Sequence, residues 1–206
     1  MSLNEQPKKI VSIMNKEKLR KYMQSINPMA DDKVVELTED FEYFSLPKHS
    51  FLITENKIIE QTYFLEIGYI RSFTLDKDGL EVTTNIYSGP CFVNDFLSFF
   101  KRLPAKQNFQ TLTNCEGWTM SFENVEKYFH NAPESREFGR LLVLNQYDLL
   151  NDRMLGMIKD SAENRYFKLF SNQSDIFQNI SLKIIASYLG ITDTSLSRIR
   201  KKSARK

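Results

Sequence analysis

The stretch that most constrains the fold is residues 179–202, where one glycine separates two short patterns of apolar residues at helical spacing. Ser181 can cap a first helix, and Gly190 can end it, because glycine readily adopts the left-handed conformation of many helix ends. Thr192 can cap a second helix. The apolar positions of the two helices are Ile184, Ile185, Tyr188, Leu189, Leu196 and Ile199. The pattern predicts a helix-turn-helix.

The other side of the second predicted helix is polar and continues into a basic run. Its residues are Asp193, Thr194, Ser195, Ser197, Arg198, Lys201 and Lys202. Short hydroxyls at a helix start can reach base edges or phosphates, and an arginine one turn later can pair with guanine. After Ser197, six of the nine remaining residues are basic and none is acidic. The pattern favours DNA binding over an ordinary helical hairpin with a solvated basic tail.

The charge of the chain is divided unevenly between its two parts. The net charge of the 206 residues is only +2, but residues 151–206 hold 11 basic and 5 acidic residues. Residues 1–150 hold 17 basic and 21 acidic residues. A basic end on an acidic body is consistent with nucleic-acid contact by that end alone. The sequence shows no apolar run of membrane-spanning length and no signal peptide, so we expect a cytoplasmic location without membrane contact.

Residues suited to catalysis are few. Cys91 and Cys115 are the only cysteines, and their spacing matches no metal or redox motif. His49 and His130 are the only histidines, and two isolated histidines make neither a metal site nor a catalytic triad. A phosphate-binding glycine loop is also missing. We therefore expect neither an enzyme nor a metal site.

Residues 41–122 show the pattern of a β-rich domain. Two β-rich runs, 63–75 and 80–87, flank a loop ending in Asp-Gly, which is a strong hairpin signal. Two more strands are predicted at 111–113 and 118–122. Short strands at such close spacing indicate a sandwich, a jelly roll or a barrel.

Two helices are predicted before the β-rich domain, and one aromatic-rich insert interrupts its strands. Residues 15–25 and 31–39 precede it as two short helices, the second with a plausible cap at Asp31 or Asp32. An aromatic-rich insert at 92–100 leads into a polar loop, and this insert is either core or the lining of a ligand pocket.

A long helix is predicted from residue 131 to residue 159. Its first residues, 131–134, resemble a capping box with a proline near the helix start. Its apolar residues follow alternating steps of four and three: Val143, Tyr147, Leu150, Met154 and Met157. This seam is typical of a coiled-coil contact between two copies, although packing within one domain would also use it. A further helix is predicted at 160–170, followed by a polar connector at 171–178.

The order of these elements resembles the Crp/Fnr family of bacterial transcription regulators, from about residue 16 to residue 202. The most specific likenesses are Glu-Asn-Arg-Tyr at 163–166 and the stretch 180–198. Residues 67–71, Ile-Gly-Tyr-Ile-Arg, resemble a family strand with a glycine followed by a basic residue.

The resemblance implies an α+β fold in three parts. Residues 1–130 would form a double-stranded β-helix (jelly-roll, cyclic-nucleotide-binding-domain-like) sensor with N-terminal helices. Residues 131–159 would form a dimerisation helix, and 160–206 a helix-turn-helix DNA-binding domain lacking a full C-terminal wing. The implied partners are double-stranded DNA with a palindromic site, a second copy of the chain, and RNA polymerase if the protein is an activator.

The resemblance also assigns roles within the helix-turn-helix. The residues at positions that contact bases in the family are Asp193, Thr194, Ser195 and Arg198. The phosphate contacts would come from Ser181, Thr192 and Lys201, and the remaining residues of the predicted DNA-binding surface are Lys183, Arg200 and Lys202.

Two departures from the family concern the effector. Members that bind cyclic AMP carry a Gly-Glu-Leu core and a later arginine, whereas this chain has Asn-Asp-Phe at 94–96 and only Lys106 further on. A shorter acid and the lost guanidinium argue against cyclic AMP. Asn94, Asp95 and Lys106 remain the candidate effector contacts, with the effector unknown. No cysteine precedes Cys91, so the iron–sulfur cluster of the family's oxygen-sensing members is not expected. We expect no other cofactor.

Two other classes of protein compete with this interpretation. One is a ligand-binding β-roll module whose basic helical tail contacts another protein rather than DNA. The other is a cupin-like enzyme, which would need metal ligands among the strands, and residues 51–122 contain no histidine.

Overall fold

A computed structural model describes residues 16–203 and shows two four-stranded antiparallel sheets combined with helices. The strand order is β1-β8-β3-β6 in the first sheet and β2-β7-β4-β5 in the second. The strands are β1 (Glu42–Leu46), β2 (Phe51–Ile53), β3 (Gln61–Ile67), β4 (Tyr69–Leu75), β5 (Glu81–Ser88), β6 (Cys91–Val93), β7 (Asn108–Thr111) and β8 (Cys115–Ser121). The helices are α1 (Glu17–Ile26), α2 (Asp31–Leu37), α3 (Phe96–Lys101), α4 (Phe122–Asn131), α5 (Pro133–Lys159), α6 (Ala162–Asn172), α7 (Ile176–Asn179), α8 (Leu182–Leu189) and α9 (Asp193–Ser203).

The first sheet buries a different core on each of its faces, because successive residues of a strand point to opposite sides. Leu65 of β3 packs with Ile70 and Phe109 of the second sheet, so the two sheets share an inner core. Phe64, its neighbour, packs instead with residues of α1, α2, α4 and α5. The helices at both ends of the sheet region therefore cover one outer face of the first sheet.

The predicted hairpin is confirmed as β4 and β5, with its turn at Asp76–Gly79. The Asp76 carboxylate accepts hydrogen bonds from the amides of Asp78 and Leu80, both at 2.9 Å. The prediction of one continuous strand at 63–75 is wrong. Gly68, with a φ of 109°, separates β3 from β4. A side chain at Gly68 would lie 2.6 Å from the carbonyl oxygen of Asn114, so only glycine fits this close approach.

Several predicted boundaries differ from the structure. The last strand ends at Ser121, whose hydroxyl accepts from the Asn124 amide and so starts α4, a helix that the apolar pattern did not indicate. Ala30, not Asp31 or Asp32, is the N-cap of α2. The predicted connector 171–178 is largely helical, because α6 continues to Asn172 and the short helix α7 begins at Ile176.

The long helix α5 spans 27 residues, and its two halves differ in burial. Ala132 lies at its N-cap without a side-chain hydrogen bond, so the predicted capping box is wrong, whereas proline in the first turn is confirmed. Phe138 and Leu142 in the first half are buried against the sheet region. Most apolar side chains of the second half are exposed. Among residues 16–203 no helix is long and apolar enough to cross a membrane.

Candidate nucleic-acid interface

The helix α8 has the predicted start and end. The Ser181 hydroxyl accepts a hydrogen bond from the Ile184 amide. Gly190 follows the helix with a left-handed φ of 67°, and the Ile191 amide donates to the Ala186 carbonyl at 3.0 Å. These bonds satisfy backbone groups that a helix end leaves without partners. The chain therefore turns sharply between α8 and α9.

The helix α9 packs on α8 through a shared apolar core. Its start is capped by Thr192, whose hydroxyl accepts from the Ser195 amide at 3.2 Å. Leu196 is fully buried, as are Ile185 and Ala186 of α8. Residues of α6 and α7 and Ile86 of β5 also belong to this core. Because Leu196 faces inward, the opposite side of α9 faces solvent.

Nine of the ten residues predicted to contact DNA are exposed, and the tenth, Ser195, is half-buried. Ser195 and Thr192 share a hydroxyl–hydroxyl hydrogen bond of 2.9 Å. Lys202 forms an ion pair of 2.9 Å with Glu163 of α6. The side chains of Arg198, Arg200 and Lys201 have no hydrogen-bond or ion-pair partner among residues 16–203. This surface consequently offers cationic donors to an outside acceptor.

Two arginines outside the predicted DNA-binding surface contact the end of α8. Arg165 donates to the Leu189 carbonyl from Nε and Nη2, at 3.2 and 3.0 Å, and to the Asp160 carbonyl from Nη1 at 2.7 Å. Arg153 of α5 donates to the Tyr188 carbonyl at 2.9 Å, and its guanidinium lies 3.9 Å from the ring centroid of the same tyrosine. Both arginines therefore satisfy carbonyls at the C-terminal end of α8, where positive charge is favourable.

Gly190 also lies against the end of α5. A side chain on Gly190 would lie 2.5 Å from the Cε atom of Met157 in α5. The turn between α8 and α9 therefore packs directly on the end of α5. Met157, predicted for the dimer seam, thus contacts this turn while remaining partly exposed.

The C-terminal helices also contact the second sheet. The Ser187 hydroxyl accepts from the Thr83 amide of β5 at 2.9 Å. The Tyr69 hydroxyl donates to the Asp175 carboxylate and accepts from the Asn179 amide group at 3.3 Å. Burial, followed by that bond to Asp175, raises the pKa of Tyr69. These contacts join residues more than 100 positions apart, so no local sequence pattern indicated them.

The predicted dimer seam is an exposed apolar stripe on the second half of α5. Its residues are all exposed, and Tyr147, Leu150 and Met154 have exposed fractions of 65%, 64% and 53%. Val143 belongs to the same stripe. Apolar side chains in such a continuous row indicate a surface that another molecule covers.

The three candidate effector residues lie close together in the chain but differ in their contacts. Asp95 caps α3: its carboxylate accepts from the Ser98 amide at 3.2 Å, the Ser98 hydroxyl at 2.8 Å and the Lys106 amide at 3.2 Å. The Lys106 side chain is exposed. Asn94 is buried, and both polar atoms of its side chain lack a partner among the described residues.

The described part of the chain contains no candidate metal cluster, and its two cysteines are not activated. No group of three or more histidine, cysteine or acidic side chains with metal-binding geometry occurs in residues 16–203. Burial raises the pKa of the Cys91 and Cys115 thiols, which keeps them protonated and unreactive at neutral pH.

Comparison with known proteins supports the fold rather than a sequence family. No protein-family model matches the chain, and no curated protein sequence matches it. Solved structures with the same fold include transcription regulators of the Crp/Fnr family and cyclic-nucleotide-binding-domain proteins.

Three of these structures align along most of the chain at low sequence identity. FixK2 from Bradyrhizobium japonicum has a TM-score of 0.69 at 16% identity, covering 79% of this chain and 83% of its own. The c-di-GMP-responsive global regulator CLP of Xanthomonas campestris has a TM-score of 0.66 at 14% identity, covering 85% and 92%. A double mutant of CooA from Carboxydothermus hydrogenoformans has a TM-score of 0.64 at 14% identity, covering 88% and 83%. The chain therefore has a Crp/Fnr-like fold.

Proposed function

We propose that this protein is a sequence-specific, double-stranded DNA-binding transcription regulator of Crp/Fnr type. The observation that carries the proposal is the outer side of α9, which presents basic and hydroxyl side chains to solvent on a helix packed into the apolar core at its inner side. In this proposal α8 and α9 form a helix-turn-helix, and α9 enters the major groove by its first turns.

The exposed residues divide by position along α9. Asp193, Thr194 and Ser195 lie in the first turn and Arg198 lies one turn later, so these four face the bases in the proposed complex. Ser181 and Thr192 precede the starts of α8 and α9, where helix N-termini favour phosphate.

The basic residues that remain contact the DNA backbone. These residues are Lys183, Arg200, Lys201 and Lys202. Phosphate contacts of this kind fix the register of the protein and make its affinity fall as salt rises.

The protein acts as a homodimer in this proposal, because the apolar stripe of α5 needs a partner and a second copy supplies an identical stripe. Two parallel copies of α5 bury Tyr147, Leu150 and Met154 against each other, with Val143 and Met157 at the ends of the contact. Two α9 helices related by a two-fold axis then address the two halves of a palindromic site, about 34–36 Å apart.

The sheet region serves as a jelly-roll sensor in residues 1–130, linked by the dimerisation helix 131–159 to the DNA-binding residues 160–206. We propose that its effector is not cyclic AMP. The Asp95 carboxylate already accepts three hydrogen bonds from the protein, so only about one of its four acceptor sites is left for a ribose hydroxyl. RNA polymerase is a further partner if the protein activates transcription.

The test is selection of bound duplexes from a random DNA pool, using the full chain. We expect a palindromic sequence to be enriched and its affinity to fall steeply with salt. Enrichment of no sequence, with or without cyclic nucleotides, would reject DNA recognition in favour of a tail that contacts another protein.

A further inference from the structure

An apolar cavity of about 70 Å³ lies on the helix-covered side of the first sheet. Its buried walls include Met23 of α1, Phe92 of β6 and Phe138 of α5. No residue of α8 or α9 lines it. Because protein interiors leave few voids larger than a water molecule, a cavity of this size needs an explanation.

The cavity opens to solvent on one side. The partly exposed residues of its lining come from α3, α4 and α5: Phe96, Phe100, Val125, Phe129, Ser135 and Gly139. The rings of Phe100 and Phe129 stand 6.3 Å apart between their centroids. These two rings contact each other at the partly exposed side of the cavity, from which an outside molecule would reach the apolar interior.

Gly139 keeps this cavity open at a position where glycine is unfavourable. It lies inside the long helix α5, and glycine is the weakest helix former after proline. A side-chain carbon built on Gly139 would meet no atom within 4 Å outside the helix itself. Gly139 has no left-handed φ, and no described residue packs closely against it, so neither of these reasons accounts for a glycine here. Its position in the wall of the open cavity does account for it.

The size and lining of the cavity define what it accepts. An apolar cavity of about 150 Å³ stays dry and holds one benzene molecule. A cavity of about 70 Å³ is half as large, so it admits the end of a slim hydrocarbon chain but not a ring. The lining is almost entirely apolar, which excludes a sugar, a nucleotide or an ion from the interior.

Arg136 lies beside the cavity and has no carboxylate partner among residues 16–203. Arg136 follows Ser135 in α5, and its Nη1 atom donates to the carbonyls of Phe129 and His130 at 3.2 and 3.1 Å. The neighbouring Glu137 is already paired with Arg140 at 2.6 Å. Guanidinium has five N–H donors, so Arg136 retains donors for a carboxylate at the entrance.

We propose that this cavity binds the end of an unbranched aliphatic carboxylate, whose charged group pairs with Arg136 at the entrance. The hydrocarbon end lies in the apolar cavity, beside Phe138 and the open wall at Gly139. This site is distinct from the candidate effector residues around Asp95. The proposal stands apart from DNA binding, because its test measures the bound carboxylate directly.

The experiment uses saturation-transfer NMR on the full chain with butanoate, hexanoate and octanoate, and with hexanol as the uncharged analogue. We expect the strongest transfer to the terminal methyl group, and binding of hexanoate at least fivefold tighter than that of hexanol. Equal binding of hexanol would overturn the role of Arg136, and transfer from none of the carboxylates would overturn the site.

Two substitutions with matched controls locate the binding. Gly139→Leu fills the cavity and should weaken hexanoate binding at least tenfold, whereas Gly156→Ala, at the other glycine of α5, should leave it unchanged. Ser135→Leu fills the same space if Gly139→Leu fails to fold. Arg136→Gln should reduce hexanoate binding to that of hexanol, while Arg140→Gln should not. Unchanged binding in Gly139→Leu and Ser135→Leu would place the carboxylate elsewhere and reject the proposal.

Discussion

The outer side of α9 and the turn around Asp95 both concentrate polar side chains, but the fold uses them in opposite ways. Arg198, Arg200 and Lys201 point into solvent with no partner among the described residues. The Asp95 carboxylate accepts three hydrogen bonds inside the sheet region. A carboxylate that already accepts three hydrogen bonds has little acceptor capacity left for a ligand, whereas a free cation gains a new contact. Recognition is thus expected on α9, and a structural role at Asp95.

The largest expected effect is a loss of stability when the buried side chain that anchors α9 is shortened. Leu196→Ala leaves a cavity where a fully buried side chain contacts α8, so we expect a loss of about 2–5 kcal/mol in the free energy of unfolding. Urea denaturation measures it. The exposed neighbour Ser197→Ala should change that free energy by less than about 0.5 kcal/mol. Equal effects would mean that α9 is not anchored through Leu196.

Arg198→Ala should come next, because it removes a proposed bidentate contact to a base. We expect a loss of about 1–3 kcal/mol in binding free energy and relaxed preference at one base position. Fluorescence anisotropy with the selected duplex and its single-base variants measures both. Lys48→Ala, an exposed lysine of the sheet region, is the matched control. A loss that is equal for every duplex variant would assign Arg198 to the DNA backbone instead.

Asp95→Ala tests the other half of the comparison. It removes the cap of α3 and the bond to the Lys106 amide, so the free energy of unfolding should fall by about 0.5–2 kcal/mol. Asp95→Asn, which retains an oxygen acceptor, should lose less. DNA affinity of both folded variants should stay unchanged. Unaltered stability in Asp95→Ala would show that this carboxylate is free for a ligand after all.

Lys201→Ala should have the smallest effect on recognition. A single phosphate contact is lost, so affinity should weaken alike for all duplexes, and the salt dependence should decrease by about one unit of slope. Affinity measured at several salt concentrations reports this slope. A preference that changes at one base position would contradict a phosphate contact for Lys201.

How much of this structure the sequence could predict depends on how local each determinant is. Ser181, Gly190 and Thr192 act on their own neighbours in the chain, so the start of α8, the turn and the start of α9 were predicted correctly. The helix α4 was missed because the apolar pattern of β8 runs on into Phe122, and only the Ser121 cap marks the change. A predicted strand was divided because Gly68 meets Asn114, a residue far along the chain.

In the candidate site, too, local features could be predicted from the sequence and long-range contacts could not. The exposed residues of α9 could be identified from the helical pattern alone, since Leu196 sets which side is buried. The arginines that hold α8, Arg153 and Arg165, bind carbonyls 24 or more positions away. The contact between Thr83 and Ser187 spans 104 positions. Such contacts depend on how the helices and sheets assemble, which helical or strand periodicity does not specify.

The most direct test of the central claim is the mass of the complex formed with the selected duplex, measured by sedimentation equilibrium. The account predicts two chains on a duplex that carries both half-sites, and much weaker binding to a duplex with one half-site. The dimer-breaking variant Leu150→Glu should lose both the second chain and most of the affinity. One chain per duplex, with equal affinity for a single half-site, would contradict a dimer that uses two α9 helices.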